Sequence, residues 1–171
     1  MDGLVFRRLA AADSFAEMTA LLHLAYAPLA AAGMHFYASH QSIEHTEKRA
    51  GEGECFVVTR GDRMVATITL RMGATLDDES TTKTYRDPRV VIFGQFGVHP
   101  DHKGCGIGRR LLDLVEERAV EMGAHTIACD TAETAHELIA LYRRRGYAQV
   151  EAVQWDGVNY RSVILAKRLR D

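Results

Sequence analysis

The stretch Gln95-Phe96-Gly97-Val98-His99-Pro100-Asp101-His102-Lys103-Gly104-Cys105-Gly106-Ile107-Gly108-Arg109-Arg110 decides how the rest of the chain reads. The apolar run Val90 to Phe93 leads into it with the character of a strand. Pro100-Asp101 marks a turn. Gly104, Gly106 and Gly108 follow at alternate positions, and an amphipathic helix opens directly after them. A glycine has no Cβ, so its backbone N–H lets a ligand come close. The first N–H groups of a helix have no partner within it, and the helix dipole favours negative charge there. The combination is a candidate anion site. Lys103, Arg109 and Arg110 crowd the positive end of that helix, where a cation is unfavourable by about 0.3–1 kcal/mol. A bound phosphate reverses that sign. Two solvated arginines on an exposed first turn are the other reading, and the glycines favour the anion site.

Outward from this stretch, elements of both periods appear. Leu4 to Leu9 reads as a first strand. Asp13 or Ser14 caps a helix whose apolar face is Phe15, Met18, Leu21, Leu22 and Ala25 and which ends near Pro28. Ser39 or Ser42 caps a second helix to about Gly51. Its apolar face is weak, which marks it as a place for an acceptor substrate. Cys55 to Thr59 and Met64 to Arg71 are strands joined by the hairpin turn Arg60-Gly61-Asp62-Arg63. Gly73 to Arg89 is polar and reads as one long loop. After the glycines, Leu111, Leu112, Val115, Ala119 and Met122 form the buried stripe of a helix from about Gly106 to Met122, which Gly123 ends. His125 to Asp130 is a short strand. A helix through Leu138, Ile139, Leu141 and Tyr142 follows and ends at Gly146. Tyr147 to Gln154 and Tyr160 to Arg168 are the last strands, with an Asp156-Gly157 hairpin signal between them. The pattern is a mixed sheet with helices on both faces.

Composition narrows the function classes. At 171 residues, 47% of them hydrophobic, the chain reads as one domain with a full core. Its net charge of −2 and lack of any single-sign run point away from nucleic acid and from a membrane surface. No stretch approaches the ~18 apolar residues of a spanning helix, and Met1-Asp2-Gly3 opens no signal region. Cys55, Cys105 and Cys129 form no CxxC pair, and their odd number points to free thiols in a reducing cytoplasm. His35, His40 and His45 recur every five residues, a spacing that shares no helical face, so no metal is expected.

Lys103-Gly104-Cys105-Gly106-Ile107-Gly108 resembles the acetyl-CoA signature of the GNAT-type N-acetyltransferase superfamily: Gln or Arg, two residues, Gly, one residue, then Gly or Ala. Lys103 stands in the Gln/Arg place and keeps its positive charge. Phe96-Gly97-Val98-His99-Pro100 is similar to the family's fourth strand. Leu138-Ile139-Ala140-Leu141-Tyr142-Arg143-Arg144-Arg145-Gly146-Tyr147 resembles its later helix, an apolar helix with a Leu-Tyr pair, three intervening residues and then Gly-Tyr. The resemblance spans about Val90 to Val150 with both motifs in order. It implies an α+β fold with a mixed, mostly antiparallel sheet of about seven strands flanked by about four helices, forming one N-acetyltransferase domain over 1–171. The activity it implies is direct transfer of an acetyl group from acetyl-CoA to a primary amine of a small molecule or peptide in a ternary complex. Acetyl-CoA would be the co-substrate, with no metal, and a homodimer is implied from family habit. Phe96, Gly97 and Val98 would hold the pantetheine arm, with the Val98 N–H polarising the thioester carbonyl. Lys103, Gly104, Cys105, Gly106, Ile107, Gly108 and Arg109 would hold the pyrophosphate. Tyr142 would protonate the leaving thiolate.

Several assignments stay open on the residues alone. Tyr142 is either that acid or a packed aromatic on the inner face of its helix. Cys105 is either a thiol activated near a helix start or a filler whose backbone alone matters. Where many relatives carry Asn seven residues before the Tyr, Ala135 stands here, flanked by Thr134 and His136. The strand Ile92-Phe93-Gly94-Gln95 holds no base; Glu44, His99, Asp130, Glu133 and ordered water are the candidates. A non-catalytic acyl-CoA sensor is one alternative. A dinucleotide-binding oxidoreductase is another, with Asp130, 22 residues after Gly108, as the ribose-binding acid.

Overall fold

The computed structural model describes residues 3–73 and 82–170. Strands β1 (Leu4–Arg8), β2 (Glu54–Arg60), β3 (Arg63–Met72), β4 (Val90–Val98), β5 (Thr126–Ala132), β6 (Ala148–Val153) and β7 (Ser162–Arg168) form one seven-stranded sheet of order β1-β2-β3-β4-β5-β7-β6. Every neighbouring pair is antiparallel except β4 and β5. The helices are α1 (Phe15–Ala31), α2 (Ile43–Gly51), α3 (Lys83–Arg86), α4 (Ile107–Glu121) and α5 (His136–Arg144).

Strand periodicity distributes the core to two faces. Phe56 and Val58 of β2, Val91 and Phe93 of β4 and Ile127 and Cys129 of β5 meet Leu111, Leu112 and Val115 of α4 on one face. Cys55, Val57 and Met64 meet Met18, Leu21 and Leu22 of α1 on the other. Leu111 and Val115 are wholly buried, and burying such a side chain contributes about 1.5–3 kcal/mol. Ser14 caps α1 by accepting from Glu17 N–H at 3.2 Å, and Ser42 caps α2 in the same way through His45 N–H.

Two expected boundaries move. Helix α1 continues three residues beyond Pro28. Pro28 lies in the last turn, so its missing N–H removes only one ladder bond, and Gly33 N–H to Ala30 O and Met34 N–H to Leu29 O close the end. Within the expected Gly73–Arg89 loop, residues 74–81 lie outside the described residues. The remainder is not all loop: Thr82 caps the one-turn helix α3, whose Tyr85 is buried against Val90, Ile92 and Ala128.

The sheet opens at its centre. Parallel pairing of β4 with β5 covers only Val90, Val91 and Ile92 opposite Thr126, Ile127 and Ala128. Beyond it β4 carries one extra residue: Thr69 faces Gly94 and Thr67 faces Gly97. Gln95 takes up that residue with a φ of 47°, and such a bulge bends its strand. The Gln95 carboxamide is buried. It accepts from Gln41 Nε2 at 2.8 Å, and the same Gln41 nitrogen donates to Thr46 Oγ1 at 2.7 Å. The bulge is therefore pinned by Gln41, just ahead of α2, and by Thr46 of α2, whose carbonyl accepts from Gln95 Nε2 at 3.4 Å, and the ends of β4 and β5 leave a gap between them.

Candidate active site

A cavity of about 1240 Å³ lies on the α4–α5 side of this gap. The end of β4, the start of α4, helix α5 and the last turns of α1 line it. Phe96, Gly97 and Val98 form part of its wall. His99 N–H donates to Val65 O at 2.8 Å. Antiparallel alternation then turns Gly97 N–H toward β3 and the Phe96 and Val98 groups toward the open side. The backbone of Phe96 and Val98 is thus available on the cavity side.

At the start of α4, Gly106 is the N-cap residue with a φ of 79° and no side chain caps the helix. The first-turn N–H groups have no intrahelical acceptor. A Cβ at Gly104 or Gly106 would meet open space, so neither glycine serves protein packing. Gly108 differs: a Cβ there would stand 3.3 Å from the Phe96 ring, and its absence lets α4 lie close on β4. Ile107 is 1% exposed and anchors the first turn in the core. Lys103 and Arg109 are exposed and line the cavity. Arg110 does not; its guanidinium sits over the Phe6 ring at 4.6 Å from the centroid, so the sequence-based grouping of three cations at one anion site reduces to two. Cys105 is exposed, with Sγ 3.7 Å from Lys103 O, and its side chain lies outside the lining.

Tyr142 lines the cavity from α5 while being buried. Its ring packs on Phe93 and Tyr147 at 5.8 and 5.6 Å, and its hydroxyl faces the Cys129 thiol beside the gap. Burial, before any neighbouring charge, pushes the Tyr142 phenol well above its ordinary value, and burial likewise raises the Cys129 thiol. Both groups stay protonated at neutral pH. A backbone wall, an uncapped helix start flanked by cations and a protonated phenol thus line one cavity, an arrangement able to take an anion at one end and to give a proton at the other.

The chain is similar to known proteins. The model of the acetyltransferase (GNAT) family matches residues 17–147. The chain belongs to that family. A curated relative, the S-(2-succino)cysteine N-acetyltransferase of Bacillus subtilis (strain 168), is 30% identical over 165 residues, 95% of each chain. The S-alkylcysteine N-acetyltransferase of the same organism is 28% identical over 153 residues, 88% of this chain and 82% of the relative. Among solved structures, the ribosomal-protein-S18-alanine N-acetyltransferase from Escherichia coli superposes with a TM-score of 0.71 at 15% identity, over 98% of this chain and 95% of that one. A GNAT family acetyltransferase from Elizabethkingia anophelis with acetyl-CoA bound gives 0.67 at 15% identity, over 98% and 99%. This acetyltransferase therefore has the expected fold, and it is an acetyl-CoA-dependent N-acetyltransferase rather than an oxidoreductase.

The base candidates separate in space. Glu44 and Glu133 are exposed. His99 accepts from Asp101 N–H through Nδ1 at 3.2 Å and is not part of the lining. Asp130 is different, because β5 carries it along the gap. Its Oδ1 accepts from the Tyr85 hydroxyl at 2.9 Å and its Oδ2 from Trp155 Nε1 at 3.1 Å. Its spacing from the glycines, which suits a ribose-binding acid, has no such meaning here. His136 and Thr134 line the cavity at the start of α5, and Ala135 is buried at its N-cap without a side-chain hydrogen bond. Arg144 also lines the cavity and carries no motif that sequence reasoning would select. Arg49 of α2 escapes it too, although α2 was the expected acceptor region. Among the described residues no group of three metal-ligating side chains clusters, and no helix is long and apolar enough to cross a membrane.

Proposed function

We propose that this acetyltransferase moves the acetyl group of acetyl-CoA onto the α-amine of an S-substituted cysteine, in one ternary complex. The observation that carries the acceptor class is the match, over most of the chain, to two enzymes whose names both specify cysteine thioethers. Acetyl-CoA supplies an activated acyl thioester. The first-turn N–H groups of α4, with Gly104, Cys105, Gly106 and Ile107 contributing backbone and Lys103 and Arg109 charge, hold its pyrophosphate. Gly108 serves by letting α4 approach β4. The free edge at Phe96, Gly97 and Val98 holds the pantetheine arm, and Val98 N–H points to the side where the thioester oxygen gains charge. The acceptor's ammonium first gives one proton to water, which frees the nitrogen lone pair; the nitrogen then attacks the acyl carbon, its second surplus proton passes to water, and the carbon–sulfur bond breaks. The departing sulfur takes a proton from Tyr142, whose raised pKa keeps that proton in place until then. The whole of 1–171 acts as one domain, a reading supported by a single sheet that joins β1 to β6. The free thiols of Cys55, Cys105 and Cys129 support a reducing cytoplasm. A homodimer belongs to this reading from the family resemblance.

The test is an acceptor panel of S-methylcysteine, S-(2-succino)cysteine, norvaline and lysine-containing peptides, read by mass spectrometry for acetylated products. N-acetylated cysteine thioethers should dominate. Equal rates with norvaline, which lacks the sulfur, would defeat the assignment of the acceptor.

A further inference from the structure

We infer that the acceptor binds as a zwitterion at the gap, its carboxylate on Arg49 and its amino group beside Asp130. The inference rests on the proposed transfer to an amine, and it concerns the face of the gap opposite the acetyl-CoA cavity. Side chains alternate along strands. Ile92 and Ala128 share the face that holds Tyr85 and Trp155, so Gly94 and Asp130, two residues further along β4 and β5, emerge on that same face just where the strands part.

Arg49 reaches this spot from α2. Its Nη2 lies 3.5 Å from the position a Cβ on Gly94 would take. Its Nη1 donates to Gln41 Oε1 at 2.7 Å, which ties it to the same network that pins the Gln95 bulge. A guanidinium has five N–H donors, and among the described residues no carboxylate forms an ion pair with this one. Burial lowers the Arg49 pKa, the direction expected of a cation whose lost water is not replaced by a protein anion. Asp130 is the converse case. Its two oxygens accept from two neutral donors, Tyr85 and Trp155. A carboxylate has about four lone-pair sites, so each oxygen keeps acceptor capacity, and among the described residues Asp130 has no cationic partner in an ion pair.

The two unpaired charges feel each other without touching. Asp130 contributes to the field at Arg49, and both act on the hydroxyls of Tyr26 and Tyr160. Gly94, Arg49, Asp130, Trp155, Tyr26 and Tyr160 all retain partial exposure. An opposite-charge pair held apart at an accessible spot is complementary to a ligand carrying both signs. An amine without a carboxylate gains at Asp130 but meets Arg49 with no compensating charge. The site therefore selects for an α-amino acid and against its decarboxylated amine.

The experiment measures kcat/KM for S-methylcysteine and for 2-(methylthio)ethylamine, its decarboxylated counterpart, in wild type, Arg49→Met, Arg49→Lys and Asp130→Asn. Acetyl-CoA affinity is measured on each protein by calorimetry. Wild type should prefer the carboxylate-bearing acceptor by about 100-fold or more. Arg49→Met should bring the ratio close to one with acetyl-CoA affinity retained, and Arg49→Lys should keep part of the preference. Asp130→Asn should lower kcat/KM for both acceptors. The ratio is taken within one protein, so general damage to a variant does not imitate the effect; if Arg49→Met fails to fold, the wild-type and Arg49→Lys ratios decide. A wild-type ratio near one, or one unchanged by both Arg49 substitutions, overturns the carboxylate assignment. Full activity in Asp130→Asn overturns the amine assignment. Equal use of norvaline and S-methylcysteine defeats the thioether reading while leaving carboxylate selection standing.

Discussion

On the α4 side of the β4–β5 gap the protein offers a ligand mostly backbone: the strand edge at Phe96 and Val98, the open glycines 104 and 106, and the uncapped start of α4. On the α2 side it offers side chains drawn from far apart in the chain, Arg49, Asp130 and Tyr160, with Tyr26 shared because it also lines the cavity. The difference fits the two substrates. A constant co-substrate is met by peptide groups, whose geometry survives sequence change so long as the turn survives. A variable acceptor is met by side chains, each replaceable without disturbing the sheet. The bulge at Gln95 belongs to both sides, since it opens the edge on one and is fixed through Gln41, the partner of Arg49, on the other.

The hardest blow to this division is aimed at the group between the two sides. Tyr142→Phe keeps the packing on Phe93 and Tyr147 and removes only the hydroxyl. Turnover should fall by about 10²–10⁴, the range for general acid–base groups, with acetyl-CoA affinity within a few-fold. Loss confined to turnover marks a group used in the transition state. Because the Tyr142 pKa is raised, the acid form persists as pH rises, and no alkaline fall in wild-type kcat should come from it below about pH 10. A variant that keeps most of its turnover with chemistry rate-limiting makes Tyr142 a packing residue and leaves water as the proton source.

A smaller effect tests the part of the glycine-loop backbone in holding the phosphates. Gly106→Val should weaken acetyl-CoA by more than about tenfold, because a β-branched residue at a φ of 79° is a strong outlier and displaces the turn. Gly108→Ala acts differently: its Cβ presses on Phe96, so it should lower the melting temperature of the ligand-free protein more than its affinity. Calorimetry and thermal melts separate the two. Unchanged acetyl-CoA affinity in a folded Gly106→Val protein would remove the loop from the site.

The same division explains what the sequence made legible. The glycine loop, α4 and the Tyr142–Gly146 spacing are local, and the structure places each element where its pattern put it. The gap is not local. It depends on parallel pairing that stops at Ile92 and on one extra residue at Gln95, and neither has a sequence signal, since Gln is an ordinary residue with an unusual φ only here. Arg49 has no sequence signal of its own, being one of several charges on a helix whose apolar face is weak. Asp130 reads in the sequence as one base candidate among several or as a ribose-binding acid, and nothing there shows its surroundings, because Tyr85 and Trp155, which orient it, lie 45 and 25 residues away. The acceptor side could be assembled only after the sheet order was known.

The finest cut lies between two adjacent residues, Arg109 and Arg110. Sequence places both at the positive end of α4 and gives no reason to separate them. Successive helical residues point about 100° apart, and here the turn sends Arg109 to the cavity and Arg110 over Phe6. Arg109→Ala should weaken acetyl-CoA by about 2–5-fold at low salt, as expected for an exposed charge pair. It should also flatten the dependence of affinity on ionic strength, because salt screens the attraction that the variant lacks. Arg110→Ala should leave affinity and its salt dependence as in wild type. It should instead cost about 0.5–1 kcal/mol of stability from the lost cation–π contact, lowering the melting temperature by about 1–4 °C in a chain of this size. Isothermal titration at two salt concentrations, with a melt of each ligand-free variant, reads both. An Arg110→Ala protein that loses affinity as Arg109→Ala does would return the third cation to the phosphate site, and the position of its guanidinium over Phe6 would then describe only the ligand-free state.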